Sequence, residues 1–148
     1  MRKSPAVLTG ARRQLEQRRM RYTAARRAVL EALEGSSGPQ SAAELADRLG
    51  SAIPLSSLYR TLSVLEEAAV VERFHDVAGV VRYELAEWLT GSHHHHMTCI
   101  VCGSTRDLAL PSDLETTFAA IAVAVGERFG FRVDGHRLDL QGVCAKCQ

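Results

Sequence analysis

The chain has 148 residues, of which 46% are hydrophobic, and its formal net charge is +1. That length supplies a core for one domain or for two small ones. No apolar run approaches the roughly 20 residues of a membrane helix, and no apolar block of signal-peptide type lies near Met1, so we expect a cytoplasmic protein without a membrane partner.

Positive charge is concentrated at the start of the chain. Residues 1–30 hold half of the 18 Lys and Arg residues, against one acidic residue, Glu16. A basic arm and first helix on an otherwise acidic body indicate an anionic partner, most often nucleic acid. For residues 1–10 taken alone, we expect a solvated, disordered tail.

Three helices are predicted in the first third of the chain. A charged helix is predicted over 11–19, and Thr23 as an N-cap predicts a second helix over 24–33. Ser41 and Glu44 have the spacing of a capping box, which predicts a third helix that ends at a glycine.

A fourth helix is predicted from Ser56, as its cap, to about Ala68. Its leucines form one apolar stripe, whereas Ser57, Tyr59 and Arg60 lie off that stripe. Two helices joined by a short turn, the second opening with small polar residues, are typical of a helix-turn-helix.

Two strand-like runs follow, over 70–75 and 80–85, and a turn over 76–79 separates them. Helices followed by such a hairpin predict a winged-helix DNA-binding domain over 1–85. Residues 86–92 are predicted to be a linker, or hinge, between two small domains.

The remaining residues, 93–148, are predicted to form a small α/β domain. Its expected elements are a strand around 97–101, a strand over 105–110, an Ala-rich helix over 111–129 and a strand over 131–143. A unit of this size has little core of its own, so we expect it to depend on a metal and on pairing with a second copy. The fold class predicted for the whole chain is α+β.

All four cysteines occur in Cys-x-x-Cys pairs, one at Cys99 and Cys102 and the other at Cys144 and Cys147. Two such pairs are typical of a closed tetrahedral zinc site, in which each pair offers two thiolates to one ion. Two disulfides or a redox dithiol are the alternative, but a reducing compartment favours the metal.

Four consecutive histidines, residues 93–96, precede the first cysteine pair. The run resembles an expression tag, but it is internal and leads directly into a predicted strand. Successive side chains of a strand point to opposite faces. We therefore expect His93 and His95 to serve one metal site, and His94 and His96 another.

These motifs together resemble the ferric uptake regulator family of bacterial metal-sensing repressors. The resemblance rests on Arg-Tyr-Thr-Ala-Ala-Arg at 21–26, Leu-Ser-Ser-Leu-Tyr-Arg-Thr-Leu at 55–62, the histidine run and the two cysteine pairs. It implies a homodimer of winged helices joined by a hinge to a dimerisation domain. Metal at the hinge would close the dimer onto a double-stranded DNA operator and repress metal-uptake or stress genes.

The resemblance also implies a role for particular residues. The structural zinc would be held by the four cysteines, and a hinge sensor site by His94 and His96 with Glu84 or, as a competing candidate, Glu72. Asp107 could also be a ligand, but we expect it to be a solvated carboxylate at a strand end, and we expect His75 not to be a ligand. A third site would use four further side chains, namely His93, His95, His136 and Glu115.

For DNA, the resemblance implies contacts from the predicted fourth helix and from the basic segment before the second helix. Tyr59 and Arg60, with Ser57 beside them, would contact DNA bases or backbone. Arg21 and Arg26 would contact the phosphates.

The metal of the sensor site is inferred from its donors. Pro39 and Gln40 stand where many iron-sensing members have a histidine, and Ala86 stands near the position where many zinc-sensing members have a cysteine. The unbroken histidine run favours a regulatory Zn²⁺ over Fe²⁺ or Mn²⁺, because imidazole-rich tetrahedral sites suit zinc.

The same residues are compatible with other functions to different degrees. An iron-dependent uptake regulator or a peroxide sensor of the same family remains an alternative. A zinc-dependent hydrolase needs a general base and a pocket, and no His-Glu-x-x-His occurs, so we expect no enzyme. A metal buffer without DNA binding is disfavoured by the helix-turn-helix and the basic arm.

Overall fold

The structure, a computed structural model, describes residues 5–148. Its N-terminal part is helical and ends in a β-hairpin, whose strands pair antiparallel with Val71 opposite Leu85. The elements are α1 (Pro5–Gln17), α2 (Ala24–Glu34), α3 (Ala42–Leu49), a 3-10 turn (Gly50–Ala52), α4 (Leu55–Glu67), β1 (Val71–His75) and β2 (Val81–Leu85).

The C-terminal part contains a three-stranded sheet and one long helix. The strand order is β4-β3-β5, in which β3 runs antiparallel to β4 and parallel to β5. The elements are α5 (Glu87–Thr90), β3 (His95–Cys99), β4 (Thr105–Leu108), α6 (Ser112–Phe129) and β5 (Asp139–Gly142). The whole is the α+β fold that the sequence predicted.

Leucines at helical spacing form the core beneath the hairpin. Leu30 on α2, Leu45 on α3, and Leu58, Leu62 and Leu65 on α4 are almost completely buried. Burial of one such side chain stabilises the folded state by about 2 kcal/mol. The core therefore holds α4 by its apolar stripe and leaves its opposite face free.

The hairpin is joined to the start of α3 by backbone hydrogen bonds. Gln40 N–H donates to the Tyr83 carbonyl at 2.9 Å, and Tyr83 N–H donates to the Gln40 carbonyl at 2.8 Å. Ser41 next to it caps α3, with Glu44 completing the predicted capping box. The position of β2 is thus tied to the first helix of the helix-turn-helix.

The first helix differs from its prediction over 11–19. It begins at Pro5 and ends at Gln17, so the disordered tail expected over 1–10 is wrong from residue 5 onward. The physical reason is that Val7, Ala11 and Leu15, four residues apart, are buried in the core. The basic residues Arg2 and Lys3 lie outside the described residues.

Several other elements differ in extent from their predictions. α4 begins at Leu55 behind Pro54 rather than behind a Ser56 cap, and the segment 86–92 contains the short helix α5. The strand predicted over 131–143 is reduced to Asp139–Gly142. Before it, Phe131 N–H donates to the Gly126 carbonyl at 2.8 Å, which turns the chain back onto α6 instead of into the sheet.

None of the described helices has the length and apolar character that crossing a membrane requires.

Candidate metal centres and DNA-binding surface

The histidine run divides between two groups of side chains, as expected for alternating residues of an extended segment. His94 and His96 meet Glu84 and Asp107, which we call the hinge group. His93, His95 and His136 meet Glu115, which we call the three-histidine group. Within each group one ligand atom of every residue lies within 4.8 Å of the others.

Strand pairing explains how the hinge group assembles. In β4, Asp107 is the residue directly opposite His96 of β3, and opposite residues of an antiparallel pair place their side chains on one face. Glu84 reaches the same point from β2. The group therefore joins the hairpin to the C-terminal sheet.

The distances in the hinge group suit a small ion. Glu84 Oε2 lies 2.8 Å from His96 Nε2 and 3.0 Å from His94 Nε2, and His94 Nε2 lies 3.9 Å from Asp107 Oδ1. Ligand atoms about 2.0 Å from a tetrahedral zinc are about 3.3 Å apart. The donors would move by about half an ångström to take up that geometry.

The electrostatics of the hinge group favour the ionised form of the Glu84 carboxylate. Burial alone would raise the pKa of Glu84, but hydrogen bonds with His94 and His96 outweigh burial and lower the pKa to about 2. The hydrogen bond with Glu84 raises the pKa of His94 to about 9, against the effect of its own burial. The Glu84 carboxylate is therefore ionised, as a metal ligand must be, whereas His94 must give up its proton to bind a metal.

Glu72, the competing candidate, does not join the hinge group. It lies opposite Glu84 in the hairpin, but it is not among the side chains whose ligand atoms come together there. Burial and the nearby Glu84 charge raise its pKa. Asp107 is 45% exposed, as expected for a strand end, yet it also faces His94.

The other nitrogen of His96 is also held. Its Nδ1 lies 3.3 Å from Asp139 Oδ1 at the start of β5. A carboxylate on the far nitrogen of a metal-binding histidine orients the ring and raises its basicity. Sequence reasoning missed Asp139, since it lies 43 residues from His96 and the parallel register that joins them is not visible in the chain.

The three-histidine group is centred on Glu115 of α6. Its two oxygens lie 2.8 Å from His95 Nε2, 2.8 Å from His136 Nε2 and 3.4 Å from His93 Nε2. The hydrogen bond with His95 lowers the pKa of Glu115. The buried Nε2 of His136 lies close to Glu115 without the alignment of a hydrogen bond, so a cation held between the two would satisfy it.

The four cysteines also come together, at the far end of the sheet. Cys102 Sγ and Cys144 Sγ are 3.9 Å apart, close to the roughly 3.8 Å between sulfurs around a tetrahedral zinc and far beyond a disulfide bond. Backbone N–H groups, including that of Cys144, lower the pKa of Cys99 to about 6. All four thiols are free, and their arrangement fits a four-thiolate metal site.

The residues expected to contact DNA occupy the outer surface of the helical part. Tyr59 is half exposed and Arg60 is exposed on α4, whereas Ser57 is partly buried. Arg21 is exposed before α2, and the Arg26 guanidinium donates to the Arg21 carbonyl.

A helix-turn-helix with a hairpin wing, together with three groups of side chains that could each hold a metal ion, is typical of a metal-binding, DNA-binding regulator. Comparison with known sequences gives the family: residues 17–141 match the ferric uptake regulator family. The chain belongs to that family, whose members are DNA-binding, metal-responsive transcriptional repressors. They are not enzymes, which confirms the expectation from the sequence.

Relatives carry the names of different metals. The ferric uptake regulation protein of Neisseria meningitidis serogroup A is 30% identical over 139 residues, 91% of each chain. The Vibrio cholerae ferric uptake regulator has a similar structure, with a TM-score of 0.70 and 28% identity over 90% of this chain and 98% of that one. A zinc uptake regulator complexed with zinc and DNA has a TM-score of 0.62 and 25% identity, covering 98% of this chain and 96% of that one.

Proposed function

We propose that this protein represses metal-uptake genes as a metal-loaded homodimer, and that the hinge group is its sensor. One observation carries the proposal. The hinge group takes Glu84 from the hairpin of the DNA-binding part, His96 and Asp107 from the C-terminal sheet, and His94 from the segment just before that sheet. An ion bound there joins the hairpin to the C-terminal sheet.

The coupling follows from that placement. An ion that binds all four donors together stabilises the arrangement in which the hairpin lies against the sheet. The equilibrium then shifts by the difference in the ion's affinity between that arrangement and an open one. DNA affinity rises with metal because the two recognition helices of a dimer must be held at a fixed spacing.

Zinc is the first candidate for the sensor metal. Four donors that include two imidazoles suit a tetrahedral zinc, and the three-histidine group is richer still in imidazole. The four cysteines would hold a separate structural zinc. Iron or manganese is the second candidate, favoured by the two carboxylates of the hinge group and by the ferric uptake regulation proteins among the relatives.

DNA contacts are assigned to the free face of α4 and to the segment before α2. Tyr59 and Arg60, with Ser57 beside them, would meet the major groove, and Arg21 and Arg26 the phosphates. The similarity to a regulator complexed with DNA supports this assignment.

The second copy is assigned to the apolar surface of the C-terminal part. Large side chains of α6 and the following turn are more than half exposed, among them Ile121, Phe129 and Phe131. Apolar surface of this kind marks protein contacts, and a second chain would cover it.

The test is DNA binding by the purified protein to a palindromic AT-rich duplex library, titrated separately with buffered free zinc, ferrous iron, manganese and nickel. We expect zinc to switch binding on and His96→Ala to abolish the switch, while His75→Ala, an exposed histidine outside both groups, retains it. A switch by iron alone, with oxidation of His94 or His96 by peroxide, would reassign the sensor to iron or peroxide. No effect of any metal would refute the sensor role.

A further inference from the structure

A buried arginine of the hairpin makes a second connection to the C-terminal part, separate from the hinge group. The Arg82 side chain is 5% exposed. Its Nε donates to Asp76 Oδ2 at 2.9 Å, and Asp76, itself 1% exposed, also accepts from the Ala78 and Val80 backbone N–H groups. Arg82 therefore fixes the turn of the hairpin.

The two remaining nitrogens of the guanidinium point to different parts of the molecule. Nη1 donates to Glu44 Oε2 at 2.5 Å, and Nη2 donates to the Gly103 carbonyl at 2.5 Å. Glu44 also accepts from the Ser41 N–H at 2.7 Å, as the capping box of α3. A chain of charge-assisted hydrogen bonds thus runs from Gly103 to the start of the helix-turn-helix.

The series of hydrogen bonds ends at Gly103, in the turn beside the first cysteine pair. Gly103 follows Cys102 directly, and its N–H closes the turn by donating to the Cys99 carbonyl at 2.9 Å. Its φ of +71° is one that glycine adopts without strain. The direction of the Gly103 carbonyl therefore depends on the turn that brings Cys99 and Cys102 to one ion.

We propose that Arg82 is a positioning residue that ties the four-cysteine turn to the helix-turn-helix, so that DNA affinity depends on the integrity of that turn as well as on the hinge group. Arg82 and Glu84 lie two residues apart on β2 and so share one face of the strand. One face of the wing then carries two contacts with the C-terminal part, one through the sensor ion and one through the backbone beside the cysteines. The inference rests on the proposed function.

Thermodynamic linkage between DNA binding and the turn provides a measurement that Arg82 would not affect if its role were merely structural. If the turn and the DNA-binding part are coupled, DNA binding must stabilise the turn by the same factor by which the turn favours DNA binding. All four cysteines belong to this one group. Their alkylation by iodoacetamide, read peptide by peptide by mass spectrometry in buffered sensor metal, therefore reports on the turn alone.

The variant is Arg82→Lys, which keeps a cation beside Asp76 but has one nitrogen in place of the three that reach separate partners in Arg82. The matched control is Arg73→Lys, the same substitution on the exposed Arg73 of β1. We expect the duplex selected above to slow alkylation of the wild-type protein and of Arg73→Lys. In Arg82→Lys, alkylation is faster without DNA, DNA no longer slows it, and DNA affinity falls by about threefold to tenfold, the value of one hydrogen bond.

The inference is overturned if folded Arg82→Lys keeps both its DNA affinity and its protection by DNA. It is also overturned if DNA leaves the alkylation rate of the wild-type protein unchanged, a measurement that needs no variant to fold. Simple shielding of the cysteines by DNA would persist in Arg82→Lys. Wild-type protein that binds no duplex with any metal refutes the proposed function instead, and the two failures are thereby distinguished.

Discussion

The imidazole of His96 lies stacked on the ring of Phe74, with the centroids 4.6 Å apart and the planes 11° from parallel. Phe74 belongs to β1 of the wing and is 8% exposed. On the same ring lies the guanidinium of Arg137, with Cζ 4.0 Å from the centroid. The wing therefore supports the orientation of a hinge-group histidine as well as supplying Glu84.

Replacing that ring should weaken the hinge group without removing a ligand. We expect Phe74→Leu to lower the affinity of the hinge group for its metal by about fivefold, since an aromatic pair contributes about 1 kcal/mol beyond burial. Competition titration with a chelating dye measures the effect. Unchanged metal affinity in folded Phe74→Leu would show that the stacking does not position His96.

Asp107 and Glu72 provide a matched pair of carboxylates. We expect Asp107→Asn to lower metal affinity at the hinge group by about tenfold or more, since a neutral amide replaces an anionic ligand. Glu72→Gln, on a carboxylate outside the hinge group, should retain it. Metal titration of DNA binding compares the two, and the opposite order of effects would return Glu72 to the sensor site.

Arg60 should contribute to DNA affinity through charge. We expect Arg60→Ala to weaken operator binding and to reduce the slope of log K against log salt by about one if the side chain meets a phosphate. Arg132→Ala serves as the control, because Arg132 is 89% exposed in the C-terminal part and pairs with Asp134. Fluorescence anisotropy at several salt concentrations checks this, and unchanged affinity at fixed salt refutes the assignment.

Gly38 lies where the loop after α2 touches β4. A Cβ on Gly38 would come within 2.8 Å of the Arg106 Cα and of the Thr105 carbonyl oxygen, whereas one on Gly135 would meet nothing within 4 Å. We expect Gly38→Ala to destabilise the protein by about 1 to 3 kcal/mol through overpacking, and Gly135→Ala to have little effect. Thermal unfolding measures both, and equal stability of the two variants would contradict the close approach.

Asp76 should make stability depend on pH. Burial would raise its pKa, but hydrogen bonds from Arg82 and from two backbone N–H groups outweigh burial and lower it below the ordinary 3.8. The stability that Asp76 contributes is therefore present above its unfolded pKa and is lost as pH falls through its lower folded pKa.

Between about pH 6 and about pH 3, the free energy of unfolding should fall more for the wild-type protein than for Asp76→Asn. Denaturant titration measures it at each pH. The other acidic groups, the cysteines and the histidines are common to both proteins, so the difference isolates Asp76. A fall of the same size in both proteins would show that the pKa of Asp76 is not lowered by folding.

Much of this architecture could be predicted from local patterns. The capping box at Ser41, the hairpin around Asp76 and the division of the histidine run by strand parity each depend on residues near in sequence. Predicting that Asp107 joins the hinge group requires one further step. The register of β3 and β4 across the turn after Cys102 sets it opposite His96, and counting residues across that turn would have found it.

Contacts distant in sequence could not be found in this way. Arg82 meets Glu44 across 38 residues and Gly103 across 21, and Asp139 reaches His96 through a parallel pairing. No pattern of period two or 3.6 encodes such contacts, because they depend on how complete elements pack. The short length of β5 could not be predicted for the same reason, because packing of the chain onto α6 removes residues from the predicted strand.

The alternation of the histidine run also limits how the protein can evolve. Pairing with β4 and β5 fixes the register of β3, so a one-residue insertion or deletion between His96 and Met97 would move the histidines to opposite faces and disrupt both groups. Neither group can therefore be retuned by a change of length there without damage to the other. Metal preference can drift only by substitution at the partners contributed by other elements, namely Glu84 and Asp107 for one group and Glu115 and His136 for the other.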